Sequence, residues 1–199
     1  MKENISQTLI ELSKLLAETI KEVIKTASNS SVKVSPTLQK INFVALRPDL
    51  GAFVEFYGDY NGLFSMNFSK EAAFELYQKT MKFLGLPEEE ISKDPLSDEV
   101  KNFIGEMVNQ IIGNFRNKVE QKYGLSAFNN QPMAITIART IVIYIETSLN
   151  NTNALKISLR TESGHSFHAE LSLEQTEFIP FKESSSDEES VEALLEKFF

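Results

Sequence analysis

The chain has 199 residues, of which 42% are hydrophobic, so its length and composition suit one domain with a buried core. Its net charge of -8 argues against a nucleic-acid-binding protein, which normally has a basic face, and against an anionic membrane surface as the partner. The absence of cysteine excludes disulfides, thiol catalysis and thiolate metal sites, and no suitable set of carboxylates is visible to complete a zinc site with His165 and His168.

The first 25 or so residues predict a long amphipathic helix. Apolar residues recur at intervals of three and four from Ile5 to Ile24, and charged residues interrupt the segment throughout. The segment therefore lacks the continuous apolar stretch of a signal peptide, and no apolar run in the chain approaches the roughly 20 residues needed to cross a bilayer. We expect a soluble cytoplasmic protein that does not insert into a membrane.

The middle of the chain predicts strands followed by two helices. Residues from Val32 to Phe68 are rich in β-branched and aromatic side chains, and "GDYNG" is typical of the turn of a hairpin. A helix is predicted from Lys70 to Leu84, and Ser69 can cap it. After a connecting loop, a second helix is predicted from Ser97 to about Tyr123, where Gly124 ends it.

Three strand-like runs follow the turn at Pro132 and predict a β-meander: "AITIARTIVIYIET", "ALKISLRT" and "FHAELSL". We expect "TIVIYIE" to be core, with Tyr144 pointing outward. Strands, helices and strands again predict an α/β (α+β) sandwich, in which a largely antiparallel sheet packs against long helices. This domain would span residues 1–180.

Residues 181–199 differ from the rest of the chain. "KESSSDEES" is charged and Ser-rich, as expected of a flexible linker, and "VEALLEKFF" has an apolar helical stripe. This C-terminal amphipathic segment would either fold back on its own domain or a dimer partner, or dock into a groove of another protein.

The helix that begins after Ser97 has an unusual polar side. At 100° per residue, its apolar residues gather on one broad side, and Asn102, Glu106, Asn109 and Gly113 form a narrow polar stripe opposite, which Gln110 borders. Glu106 and Asn109 are three residues apart and are therefore neighbours on the surface.

The composition of this polar stripe favours a docking surface over a solvated face. A solvated face usually has long charged residues in i,i+4 pairs, whereas this one has short amides of poorer helix propensity. Gly105 and Gly113 each cost roughly 1 kcal/mol relative to alanine. Packing at the core border can account for Gly105, but Gly113 lies in the stripe, where glycine lets another backbone come close.

The residues "GEMVNQIIGN" resemble the Glu-x-x-Asn phosphatase motif, with its following Gly-Asn, of the CheC/CheX/FliY chemotaxis family. The order of the predicted elements from about Val32 to Ile179 also follows that family, and the single motif is similar to the CheX type. The resemblance implies a CheC-like fold and a homodimer. It also implies a phosphatase that hydrolyses the aspartyl phosphate of phosphorylated CheY-like response regulators.

The resemblance implies a role for each motif residue. Asn109 would hold a water in line with the phosphorus, and Glu106 would pair with the active-site lysine of the receiver domain. Gly113 and Asn114 would allow the receiver to approach closely and would support the helix locally. Asn102 and Gln110 would contact the partner. No cofactor or metal is expected in this chain, because the receiver would bind the Mg²⁺ itself.

The chain departs from the family pattern at two places. Asn102 stands where longer motifs have aspartate or serine, which puts fine substrate contacts in doubt. On the preceding helix Glu75 is followed by Gln78 and not by asparagine, so we expect one site per chain.

There are two alternatives to an enzyme. One is a binding or dimerisation module without turnover, and the other is a structural domain whose polar stripe is only solvated. Catalysis or metal binding by His165 and His168 is the less favoured interpretation of that pair.

Overall fold

The computed structural model describes residues 5–138, 140–146 and 153–179, so the predicted linker and amphipathic segment of residues 181–199 lie outside the described residues. The helices of the described residues are α1 (Gln7–Ser28), α2 (Lys70–Phe83) and α3 (Asp98–Tyr123). Their strands are β1 (Lys33–Ile41), β2 (Val44–Leu46), β3 (Leu50–Gly58), β4 (Gly62–Phe68), β5 (Ala127–Asn129), β6 (Met133–Thr136), β7 (Ile143–Ile145), β8 (Asn153–Arg160) and β9 (Ser166–Leu173).

The main sheet is antiparallel, with the strand order β1-β8-β9-β4-β3-β5, and β6 pairs with β3 beside β5. A separate ribbon of β2 and β7 packs against β3, β4 and β9. The three helices pack against one another and against the main sheet. This arrangement confirms the predicted α+β sandwich, including the hairpin of β3 and β4.

The core lies between the helices and one face of the sheet. Alternate residues of β4, namely Phe64, Met66 and Phe68, are fully buried there, as the period of two predicts for one face of a strand. Phe56 of β3 and Phe115 of α3 meet across this layer with ring centroids 6.3 Å apart. Burying a side chain of this size stabilises the fold by about 1.5–3 kcal/mol, so these contacts fix α3 on the sheet.

Short hydroxyl side chains start all three helices. Ser6, Ser69 and Ser97 each accept a hydrogen bond from the backbone N–H three residues later, which satisfies one donor of the first turn. Gly124 ends α3 in a left-handed conformation with φ of 68°, and its N–H donates to the carbonyl of Glu120 at 2.8 Å. The predicted caps of α2 and α3 are therefore confirmed.

The prediction of one long strand over "AITIARTIVIYIET" is wrong. β6 already reaches the first residue of β3, because Thr136 pairs with Leu50, so no further β3 edge is available. The chain turns away and forms β7 on a different strand, β2. This segment is not plain core, since Ile141 is 49% exposed; Tyr144 points outward as expected, at 63% exposure.

Candidate functional site

Helix α3 presents the polar stripe on its outer side. Its inner side is buried in the core, as the helical wheel predicts: Val100, Ile104, Met107, Val108, Ile111, Ile112, Phe115 and Val119. Asn102, Glu106 and Asn109 are exposed, and Gly113 is half-buried. Because the buried side fixes the rotation of the helix, the polar stripe is held in one orientation on a rigid element.

The two central residues of the polar stripe form no polar side-chain contacts with the described residues. Within the described ranges, the side chains of Glu106 and Asn109 have no hydrogen-bond or ion-pair partner. Asn114 differs from them, because its Nδ2 donates to the backbone carbonyl of Gln110 at 2.8 Å. Glu106 and Asn109 are therefore available to an external partner, whereas Asn114 braces the helix itself.

The two helical glycines have different surroundings, and neither is required by packing. A methyl group at Gly113 would meet no atom within 4 Å. At Gly105 it would lie 3.7 Å from Cβ of Ala134, which is an ordinary van der Waals contact. The expectation that core packing accounts for Gly105 is therefore wrong, and this glycine instead lines the cleft described next.

A polar cleft of about 390 Å³ lies between α3 and the loop that joins β5 to β6. Helix α3 supplies one wall, and the opposite wall consists of residues 129–132 and Ala134. The loop is anchored, because the N–H of Asn130 donates to the carbonyl of Glu55 at 3.2 Å. The sequence predicted only a turn at Pro132 in this region, and the run "NNQ" before that turn is the signal that indicates this wall.

The chemistry of the polar cleft suits positioning more than covalent catalysis. Its lining carries one carboxylate, Glu106, and one ammonium group, Lys101, among amide side chains. Lys101 forms an ion pair with Asp98, and its hydrogen bond to this carboxylate holds the pKa of Asp98 below its ordinary value. None of the described residues that line the cleft carries a thiol, hydroxyl or imidazole, so its groups can orient a substrate or a water by hydrogen bonds.

Glu75 is the residue of α2 that corresponds to Glu106, and contacts within the chain hold its side chain. Glu75 is only 10% exposed, and its carboxylate accepts hydrogen bonds from Thr161 Oγ1 and from the N–H of Ser163 and contacts Lys79 Nζ at 2.9 Å. Burial alone would raise the pKa of Glu75, but the hydrogen bonds from Thr161 and Lys79 outweigh it and the pKa is lowered. Glu75 therefore supports the turn between β8 and β9.

The two histidines lie away from the polar cleft. His165 Nε2 is 4.0 Å from Glu75 Oε2, and His168 Nε2 is 3.2 Å from Glu170 Oε1 on β9. Among the residues that the structure describes, no group of three or more His, Cys, Asp or Glu residues is arranged to hold a metal ion. None of the described helices is both long and apolar enough to cross a membrane.

Comparison with known proteins places this geometry in context. A family model described as "Protein of unknown function (DUF3334)" matches residues 3–198. A comparison with the curated proteins finds no match.

Several solved structures share the fold. The chemotaxis protein CheX from Desulfovibrio desulfuricans is 19% identical, with a TM-score of 0.65 over 82% of this chain and 99% of that chain. A putative chemotaxis protein from Desulfovibrio vulgaris Hildenborough is 21% identical, with a TM-score of 0.68 over 82% and 97%. The CheX-CheY-BeF3-Mg+2 complex from Borrelia burgdorferi is 16% identical, with a TM-score of 0.60 over 82% and 98%. The predicted resemblance to the CheC/CheX/FliY proteins is thus confirmed at the level of the fold.

Proposed function

Because the chain belongs to the DUF3334 family and has the fold of the CheX chemotaxis proteins, we propose that it is a phosphatase of phosphorylated CheY-like response regulators. One observation carries the proposal: Glu106 and Asn109 lie three residues apart on a rigid helix, exposed and uncommitted, at the edge of the polar cleft. The Borrelia burgdorferi structure supports a partner of this kind, because its CheX was solved in complex with CheY.

The reaction needs little from the phosphatase beyond positioning. An acyl phosphate is already reactive, and phosphoryl transfer is accelerated mainly by an in-line geometry and by charge stabilisation. The side-chain amide of Asn109 would hold a water so that its oxygen attacks the phosphorus. The bond from phosphorus to the aspartyl oxygen breaks, the carboxylate leaves with the electron pair, and the proton of the water passes to the phosphate or to solvent.

The other residues of the polar stripe would fix the receiver on α3. Glu106 would pair with the active-site lysine of the receiver, and Gly113 would let the partner backbone come close. Asn102 and Gln110 would add partner contacts beside them. The Mg²⁺ would belong to the acidic pocket of the receiver, so no metal or cofactor is assigned to this chain.

A binding module without turnover is the second candidate. It is favoured by Asn102, which stands where longer motifs of the resembling family have aspartate or serine. In this alternative Glu106 and Asn109 would recognise a receiver without accelerating hydrolysis. A homodimer, which the resemblance to CheX-type proteins implies, is part of both proposals, and so is a cytoplasmic location. Sedimentation velocity measures the dimer.

Phosphate release from a panel of phosphorylated receiver domains tests the proposal. The receivers are phosphorylated with a small phosphodonor, the donor is removed, and decay is followed with and without the full-length protein. We expect one receiver to decay faster, and Asn109→Ala to reduce that acceleration by roughly 100-fold, as for loss of one oriented hydrogen-bonding group in an active site. Binding of the phosphorylated receiver should persist in Asn109→Ala.

Asn117→Ala is the matched control, because it is the same substitution at an exposed position about two turns further along α3. It should leave the acceleration unchanged. If no receiver decays faster but one binds only when phosphorylated, the binding module replaces the enzyme. If Asn109→Ala and Asn117→Ala behave alike in every assay, the polar stripe is only a solvated face.

A further inference from the structure

A second groove lies on the face of the sheet that points away from the helices. Along β8, the inward residues Leu155, Ile157 and Leu159 belong to the core, so the residues that alternate with them point outward. The groove has a volume of about 480 Å³. Its polar side chains are two lysines, one arginine, one histidine and three serines, and we name it the cationic groove: Lys33, Lys156, Arg160, His168, Ser35, Ser158 and Ser166.

The charges of the cationic groove are concentrated by the strand register. Lys33 of β1 lies directly opposite Arg160 of β8, and Lys156 lies four residues before Arg160 on the same face. Like charges directly opposite in an antiparallel pair are destabilising. The chain has 28 acidic and 20 basic residues, yet none of the described residues that line this groove carries a carboxylate. The arrangement therefore costs stability unless an anion neutralises it.

The carboxylate that faces Lys156 across the β8–β9 pair does not compensate these charges. Glu170 of β9 lies opposite Lys156, but it is 1% exposed and occupied elsewhere. One of its oxygens accepts from the N–H of Ala45 at 2.9 Å, and the other lies 3.2 Å from His168 Nε2. In the part of the chain that the structure describes, Lys33 and Lys156 have no ion-pair partner.

Protection of the sheet edge from pairing with other chains explains only one of the three positive charges that β1 and β8 contribute to the cationic groove. A lysine on an edge strand discourages pairing with other chains, and Lys33 lies on the edge strand β1. Lys156 and Arg160 lie on β8, which is paired on both sides, so that explanation does not apply to them. The register of β1 on β8 also shifts between Val34 and Leu38, and such bulges are frequent beside binding sites.

We propose that the cationic groove binds a small soluble anion that bears phosphate groups. The planar guanidinium of Arg160 suits bidentate binding of phosphate oxygens, while lysine ammonium and serine hydroxyl groups supply further donors. The volume of the groove falls in the range of small-molecule sites. The site is independent of the proposed phosphatase site, because it involves β1, β8 and β9, at the other end of the sheet from the strands beside α3.

Isothermal titration of the full chain with sodium pyrophosphate, at constant sodium concentration, tests the proposal. We expect saturable binding with one anion per chain. Lys156→Gln and Arg160→Gln should each weaken the affinity about tenfold or more, because each removes a charge-assisted hydrogen bond. Lys14→Gln is the matched control, since it changes the net charge equally on an exposed position of α1 and should leave the affinity unchanged.

A second readout keeps the result independent of how the variants fold. Pyrophosphate should raise the Tm of the wild-type chain, because a ligand of the native state stabilises it, and it should shift amide resonances of β1, β8 and β9 in NMR spectra. The proposal is overturned if millimolar pyrophosphate gives neither heat nor a Tm shift. It is also overturned if Lys14→Gln weakens binding as much as Lys156→Gln, because that result would indicate non-specific attraction.

Discussion

Replacing Gly113 with alanine separates the stability of α3 from its proposed docking. A methyl group at Gly113 would meet no atom within 4 Å, so the larger side chain needs no rearrangement. Glycine in a helix interior is about 1 kcal/mol less favourable than alanine. We therefore expect Gly113→Ala to raise the free energy of unfolding by about 1 kcal/mol, and the Tm by about 2–4 °C for a chain of this size.

The same substitution should slow receiver dephosphorylation, since the added methyl group stands in the polar stripe where the partner backbone is proposed to approach. Thermal melts followed by circular dichroism measure the first effect, and phosphate release at increasing protein concentration measures the second. Gly105→Ala is the stability comparison, because its methyl group would make an ordinary 3.7 Å contact with Ala134. An unchanged or lower Tm for Gly113→Ala would refute the helix argument. A higher Tm with unchanged phosphate release would refute the close approach.

Three further predictions concern the second wall of the polar cleft and the support of the β8–β9 turn. Gln131→Ala should raise the KM for the phosphorylated receiver about 2- to 10-fold without changing the single-turnover rate, as expected for loss of one neutral hydrogen bond to the partner. Glu75→Ala should lower the free energy of unfolding by about 1–3 kcal/mol in urea titrations, because Thr161 and Lys79 lose a buried acceptor, and should leave phosphate release unchanged. The pKa of Glu162 is lowered from 4.5 to about 2, first by its hydrogen bond from Lys79. A lowered native pKa contributes stability that is present above the unfolded value, so the Tm difference between wild type and Glu162→Gln should shrink as the pH falls from 4.5 toward 2.

Each of these predictions has an outcome that contradicts it. A fall in the single-turnover rate of Gln131→Ala would place that residue in the chemical step and not in docking. Loss of phosphate release in Glu75→Ala, at a temperature where the variant is folded, would mean that α2 takes part in the reaction. A Tm difference for Glu162→Gln that is constant with pH would show that this carboxylate is not stabilised in the native state.

Helix α3 could be predicted closely from sequence because its determinants are local. The period of 3.6 residues separated its buried side from the polar stripe, and Ser97 and Gly124 marked its ends. The exposed positions of Glu106 and Asn109 follow from the same periodicity. The chemistry at these residues depends on the surface of a partner, which the periodicity of α3 does not encode.

The second wall of the polar cleft could not be predicted, because it depends on pairing between distant parts of the chain. Strands β5 and β6 share one edge of β3, with β5 opposite Phe56–Gly58 and β6 opposite Leu50–Phe53. Only this division of the edge places residues 129–132 across from α3. Because β3 offers no further edge, β6 ends at Thr136 and the chain continues to β2. The apolar run that suggested one long strand therefore forms two strands, β6 and β7.

Alternation along a strand shows which residues share a face, but not whether that face is exposed to solvent. Ser65, Asn67 and Glu170 alternate with core residues, yet all three are buried. The ribbon of β2 and β7 lies over this face of the sheet, and two of these side chains satisfy its backbone. Asn67 Nδ2 donates to the carbonyl of Ala45 at 2.9 Å, and Glu170 accepts from the N–H of the same residue. Asn67 and Glu170 therefore take the place of a neighbouring strand for Ala45. In the cationic groove, by our proposal, a bound anion satisfies the outward polar side chains instead.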